Sequence, residues 1–266
     1  MNLLRFELKR KLTVLMWWSL GLGSLQLMML SFFPLMAENQ SMWDLILTYY
    51  PPEMLAAFGL ANAASLGNIE GYLIFSFIFA QVALAIFASI EGFNALSAEE
   101  SDNIADFLLT KPISRTYVFT MKITSAFMIM TLLSIITSLF TLLGILWFAS
   151  DTTLSLSLLF LFLSLLPLQW LFYVTALLIS QFMANLRSPT TLAMGLAFGM
   201  YFLYGLGAAI ESDVLRYFTY FNYIDISLIL NQEPFEVSFI ILAVLIGLGA
   251  CLLSYQLYLR RNIVSK

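Results

Sequence analysis

Apolar residues fall in long unbroken runs along this chain, with the polar residues gathered between them. Six runs reach the roughly 20 residues that a helix needs to cross a bilayer core. They cover residues 14–36, 72–90, 123–148, 154–183, 191–210 and 237–259, and none carries a charge near its midpoint. The second is interrupted only by Gln81 and two serines. Pro167 lies near the middle of the fourth, which predicts a tilted or kinked helix there. The first run is too long for a cleaved signal peptide and lacks a small-residue cleavage site.

The polar residues between the runs set an orientation. Arg5, Lys9, Arg10 and Lys11 precede the first run, and Lys111, Arg115 and Lys122 separate the second from the third. Arg187 separates the fourth from the fifth, and Arg260, Arg261 and Lys266 follow the sixth. With both termini in the cytoplasm, every basic residue except Arg216 lies inside, as the positive-inside bias requires. An odd number of spans would scramble that sorting. Ahead of the first run, Leu4, Leu8 and Leu12 share one helical face and Arg5, Lys9 and Arg10 lie towards the other. That pattern predicts an amphipathic helix in the plane of the inner leaflet, its cations near anionic headgroups.

Three connections are long enough to hold structure. Residues 37–70 contain a Tyr49-Tyr50-Pro51-Pro52 turn and then Met54 to Gly59, expected as a short helix on the outer leaflet. Residues 211–236 carry Tyr217, Phe218, Tyr220, Phe221 and Tyr223, which fits an aromatic belt or short helices dipping into that leaflet. Residues 91–122 form the most charged stretch. With no internal repeat or low-complexity linker, residues 1–266 read as a single all-α, polytopic membrane domain of six transmembrane helices.

Composition narrows the chemistry. Of the 266 residues, 61% are hydrophobic and only 11% charged, with a mean hydropathy of +0.91; a soluble domain carries about 25% charged residues. There is no histidine, which removes His-ligated metals and every nucleophile–His pair. The single cysteine, Cys251, excludes an intramolecular disulfide framework and a Cys-cluster metal site. A net charge of −4 argues against nucleic acid as a partner. No catalytic, cofactor-binding or metal-ligating residues are therefore expected.

The charged connection runs Glu99-Glu100-Ser101-Asp102-Asn103-Ile104-Ala105-Asp106-Phe107-Leu108-Leu109-Thr110-Lys111-Pro112-Ile113-Ser114-Arg115. An acidic, turn-prone start precedes a short helix exposing Ile104, Phe107, Leu108 and Leu109. Pro112 then ends that helix, and Ser114 can cap the next. An apolar helical face in a cytoplasmic loop calls for a protein or membrane partner. This arrangement resembles the ABC-2 type family of ABC transporter permeases. There an acidic residue, a Gly-Thr pair, a Leu-Leu pair and Pro-x-Ser-Arg link spans two and three. The matching positions are Glu100, Leu108, Leu109, Pro112, Ser114 and Arg115, with Asn103-Ile104 in place of Gly-Thr. Asparagine tolerates left-handed backbone geometry next best after glycine. The six spans and the N-terminal helix resemble that family as well.

The resemblance implies a permease subunit in the plasma membrane, paired with a second permease chain as a homo- or heterodimer. Its 91–122 loop would dock on a separate ABC ATPase (nucleotide-binding) subunit, whose ATP and Mg drive alternating access for export. The absence of a Gly-x-x-x-x-Gly-Lys-Ser/Thr phosphate loop agrees with this. Gly195 and Gly199 in span five permit close helix approach, either at a dimer contact, as the resemblance suggests, or against spans two or four. Gln26, Gln81 and Gln169 lie inside spans, where they either line a translocation path or hydrogen-bond between helices. Glu91, followed by Gly92, sits at headgroup level or contacts the coupling loop. A stand-alone secondary transporter or channel is the alternative. Such proteins usually carry intramembrane ionisable residues or symmetric broken helices, and only Pro167 hints at either.

Overall fold

The computed structural model describes residues 2–51, 54–55, 66–101, 114–149, 156–183, 188–210, 212–230 and 236–260. Among these residues every element is helical. Helices α1 (Asn2–Ser31), α2 (Phe33–Glu38) and α3 (Gln40–Tyr49) are followed by α4 (Ile69–Ser101), α5 (Arg115–Phe148), α6 (Leu156–Gln181) and α7 (Pro189–Ala209). Three short helices come next, α8 (Asp213–Arg216), α9 (Tyr220–Tyr223) and α10 (Ile226–Leu230), and α11 (Val237–Arg260) closes the described chain. Six helical segments are long and apolar enough to cross a membrane: Leu3–Glu38, Ile69–Ala95, Arg115–Phe148, Leu156–Gln181, Pro189–Ala209 and Val237–Arg260. The expected all-α polytopic architecture is present.

The N-terminal segment departs from expectation. Residues 3–12 are helical but form no separate in-plane helix, because α1 continues without a break into the first span. No glycine or proline lies between Lys11 and Val14 to interrupt the backbone ladder. Two of the polar residues also turn to protein: Glu7 is buried, and Lys11 forms an ion pair with Glu91 of α4. The expected helix at 54–59 lies largely outside the described residues. Its neighbour α3 was not anticipated.

Helix α4 is the most enclosed span, whereas α7 and α11 are the least. It packs most extensively against α6, and α1 packs along α5. Glycines set both spacings. A Cβ on Gly92 would strike the Tyr173 carbonyl oxygen and come within 2.8 Å of the Ala176 Cβ, so α4 and α6 touch backbone to backbone. Along the parallel pair α1 and α5, Gly23 receives the Phe140 ring and Gly144 receives Leu30. Large-into-small contacts of this kind replace the hydrophobic drive that apolar lipid cannot supply. Helix α6 runs continuously through Pro167, which leaves the Leu163 carbonyl without its usual donor; such breaks are tolerated inside a bundle.

Gly92→Ala should therefore destabilise the chain by about 1–3 kcal/mol, since its methyl meets backbone that cannot repack. Gly195→Ala, which meets no atom within 4 Å, should leave the thermal unfolding midpoint in detergent unchanged. Equal midpoints for both variants would disprove the close α4–α6 contact.

Candidate functional site

The basic segments gather at one end of the bundle and cross-brace it. Lys11 Nζ of α1 lies 2.5 Å from a Glu91 carboxylate oxygen of α4, with both side chains largely buried. Lys122 Nζ of α5 donates to the Ala95 carbonyl of α4 at 2.6 Å. Arg115, at the start of α5, donates to the Leu259 carbonyl near the end of α11 at 3.2 Å. Thr116 and Tyr255 share a hydroxyl hydrogen bond of 3.0 Å beside it, and the Phe119 ring packs on Tyr255 and Tyr258. Arg10 pairs with buried Glu7 at 2.9 Å. Helices α1, α4, α5 and α11 are thus joined around the connection expected to couple to an ATPase.

The coupling residues divide three ways. Glu99 and Glu100 belong to the last turn of α4, which stays helical through Ser101 rather than opening into the expected acidic turn. Their side chains lie outside the described set. Ile104, Phe107, Leu108, Leu109 and Pro112 fall outside the described residues altogether. Ser114 is extended (φ −69°, ψ 144°) and its Oγ accepts from the Tyr117 backbone N–H at 3.3 Å. That is the expected cap, satisfying a donor the helix would otherwise leave open.

The intramembrane glutamines serve different partners. Gln81 Nε2 donates to the Ile224 carbonyl at 3.2 Å, and Gln169 Nε2 to the Ser134 hydroxyl at 2.5 Å. Both therefore hold elements together. Gln26 is fully buried in α1 with no hydrogen-bond partner for either amide atom. Ser134 also lines a groove of about 250 Å³ between α5 and α6, with Thr131, Ser138 and Phe162. At the opposite end of the bundle, Phe33, Glu38, Glu70 and Phe148 line a cavity of about 630 Å³.

Gly195 and Gly199 are exposed on α7, beside the exposed rings of Phe198 and Phe202. Ala193 and Ala197 are the small residues that turn inward and pack. Among the described residues, a Cβ added at either glycine meets no atom within 4 Å, so neither packs closely against another span there.

Residues 219–230 fold back into the bundle, and α9 and α10 are short helices as one of the two expected readings had them, but they are buried against protein. Tyr220, Phe221, Tyr223, Ile226, Ile229 and Leu230 are buried. The Thr219 hydroxyl donates to the Met200 carbonyl at 2.8 Å, and the Tyr220 hydroxyl meets that of Thr175 at 2.7 Å. Phe172 packs edge-on against Tyr220 at 5.2 Å. Tyr220, Phe221 and Tyr223 thus face protein, while Tyr217 and Phe218 stay exposed as a belt would have them. Their spacing of one or two residues, too dense for one helical face, was the available signal. Arg216 anchors the segment by pairing with Glu236 at 2.8 Å and by lying 5.4 Å from the Phe239 ring centre. Asp225 starts α10, its carboxylate accepting from the Ser227 N–H at 2.8 Å and hydroxyl at 2.6 Å. Burial raises the Asp225 carboxyl above its ordinary range, against the opposing pull of the Ser227 bonds and Arg216.

Six apolar helices packed through small residues define a multi-pass helical membrane protein. The chain matches the family described as "Multidrug efflux system permease Rv1217c, C-terminal domain" over residues 3–256, and it belongs to that permease family. No curated protein matches the chain.

Asp225 gives a signed pH prediction. A raised carboxyl means that the folded state prefers the protonated form, so its stability is full in acid and declines as pH rises through the folded value. Asp225→Asn keeps the cap acceptor and removes the buried charge. Its unfolding midpoint should match the parent chain in acid and exceed it increasingly towards neutral pH. Asp225→Ala loses the cap, at a cost of about 1 kcal/mol. A midpoint difference between Asn and parent that does not change with pH would contradict the assignment.

Proposed function

We propose that the chain is the membrane-spanning permease subunit of an ATP-driven ABC exporter of the ABC-2 type, acting in the plasma membrane. The match to a multidrug efflux permease family over residues 3–256 carries this reading. The chain itself has no phosphate-binding loop, so ATP and Mg would be held by separate nucleotide-binding subunits. Export is the direction named for that family.

In this reading the 91–122 connection docks on the ATPase through the Leu108–Leu109 face. Capped α5 and long α4 carry its displacement into the membrane as two levers, spread or closed as the ATPase subunits close. A second permease chain packs on the exposed Gly195–Gly199 face of α7. The translocation path opens beside α1, where the amide of Gln26 is buried and without a partner. Gln81 and Gln169 are assigned to holding the path's walls.

Two measurements test this. Purification of the tagged chain from its own membranes should bring down an ATPase. Leu108→Ala with Leu109→Ala, or Glu100→Lys, should abolish that association without lowering the unfolding midpoint. Transport driven by an ion gradient with no ATP hydrolysis would instead establish a secondary transporter. Separately, Gly199→Cys in a Cys251→Ala background should form a disulfide between two copies of the chain. A position on the buried side of α7, Ala197→Cys, should not. Absence of any crosslink at Gly199 in the homodimer, with ATPase association intact, would place a different chain on that face.

A further inference from the structure

The exposed side of α1 carries an apolar groove that leads towards a cationic end. Trp17, Trp18, Gly21, Leu22 and Leu25 of α1 and Ala83 of α4 enclose about 270 Å³. Trp18 closes one wall by packing edge-on against Phe87 of α4 at 5.3 Å. Trp17 stands on the lip, 64% exposed. Among the described residues, a Cβ added at Gly21 meets no atom within 4 Å, so the floor of the groove is open. Gly23, two residues on, is by contrast filled by the Phe140 ring.

Arg10, Trp17 and Gly21 are separated by seven and four residues, spacings that keep side chains on one face of a helix. At 1.5 Å per residue, Trp17 to Leu25 covers about 12 Å, and Arg10 lies about 10 Å beyond Trp17. One leaflet consists of about 15 Å of hydrocarbon and about 6 Å of polar headgroups. Those depths put the groove among acyl chains and Arg10 among the headgroups of the same leaflet. Glu7 holds Arg10 through one terminal nitrogen at 2.9 Å and leaves its side chain 39% exposed. The guanidinium is a planar fork of five N–H donors suited to phosphate. Residues 2–12 hold four basic residues against the single acid Glu7. Buried Glu7 and Glu91 offset Arg10 and Lys11, which leaves exposed Arg5 and Lys9 as a surplus of positive charge.

We propose that the groove between α1 and α4 binds an anionic glycerophospholipid, one acyl chain lying over Gly21 and the phosphate on the Arg10 guanidinium. Charge complementarity selects this occupant. A zwitterionic lipid fills the groove but brings no net charge to the basic arm, and a second copy of the chain would cover the groove with its own lipid-facing apolar surface. The bound lipid holds the N-terminal arm at the membrane surface, alongside the Lys11–Glu91 pair.

The test uses the purified full chain in detergent micelles, titrated with phosphatidylglycerol or phosphatidylcholine carrying dibrominated acyl chains, which quench nearby tryptophan. Subtracting the signal of the Trp17→Phe chain isolates Trp17 from the other four tryptophans. Phosphatidylglycerol should quench Trp17 with about fivefold higher affinity than phosphatidylcholine, the preference that one basic residue near an anionic surface provides. Gly21→Leu fills the groove, so the preference should vanish while the unfolding midpoint without added lipid equals the parent's. Arg10→Gln keeps a donor for Glu7, and it should abolish the preference while quenching by phosphatidylcholine persists. Equal affinities in the parent chain would mean an unselective lipid coat and overturn the site. A preference that survives Gly21→Leu or Arg10→Gln would put the headgroup elsewhere and overturn it too. Quenching by neither lipid would mean that protein covers the groove, and the proposal would fall. Each of these outcomes leaves the ATP-driven reading intact.

Discussion

The close contact of Gly92 with the Tyr173 carbonyl fixes the rest of the bundle. A bilayer supplies no hydrophobic drive between helices, so attraction must come from surfaces that meet without gaps. One missing side chain lets α4 lie directly on α6, and that contact registers Glu91, Lys122 and the mouth of the 102–113 connection against the other helices. Gly23 and Gly144 do the same for α1 on α5. The least enclosed spans, α7 and α11, stay at the periphery, although Gly247 of α11 receives the Trp170 ring of α6.

Polar groups follow the same logic of scarcity. With water absent from the hydrocarbon region, each buried donor either finds a partner or marks a place where the structure is incomplete. Gln81 reaches a carbonyl in the re-entrant segment, and Gln169 reaches a serine on the neighbouring helix. Lys122 uses a helix carbonyl. Against that economy, the bare amide of Gln26 and the bare hydroxyl of Tyr173 stand out.

The spans were legible because hydropathy over 20 residues is a strong, local signal. The cap at Ser114 was equally legible, since an N-cap depends only on its own turn. The N-terminal helix was misjudged for a specific reason: amphipathic spacing of Leu4, Leu8 and Leu12 looks the same whether the polar face meets headgroups or a partner such as Glu91. Likewise, Gly195 and Gly199 were visible as small residues, but their direction depends on Ala193 and Ala197, one helical face away.

The seating of residues 219–230 has a consequence for how the protein is made. Gln81 and Ile224 are 143 residues apart in the chain, and Tyr220 closes on Thr175 of an earlier helix. These short helices are too brief to enter the bilayer as spans of their own. They can be received only once α4, α6 and α7 have already come together, which makes this hairpin a late arrival during biogenesis. A chain stalled before that step would present an open socket to the lipid, and the cell's quality control would meet it there.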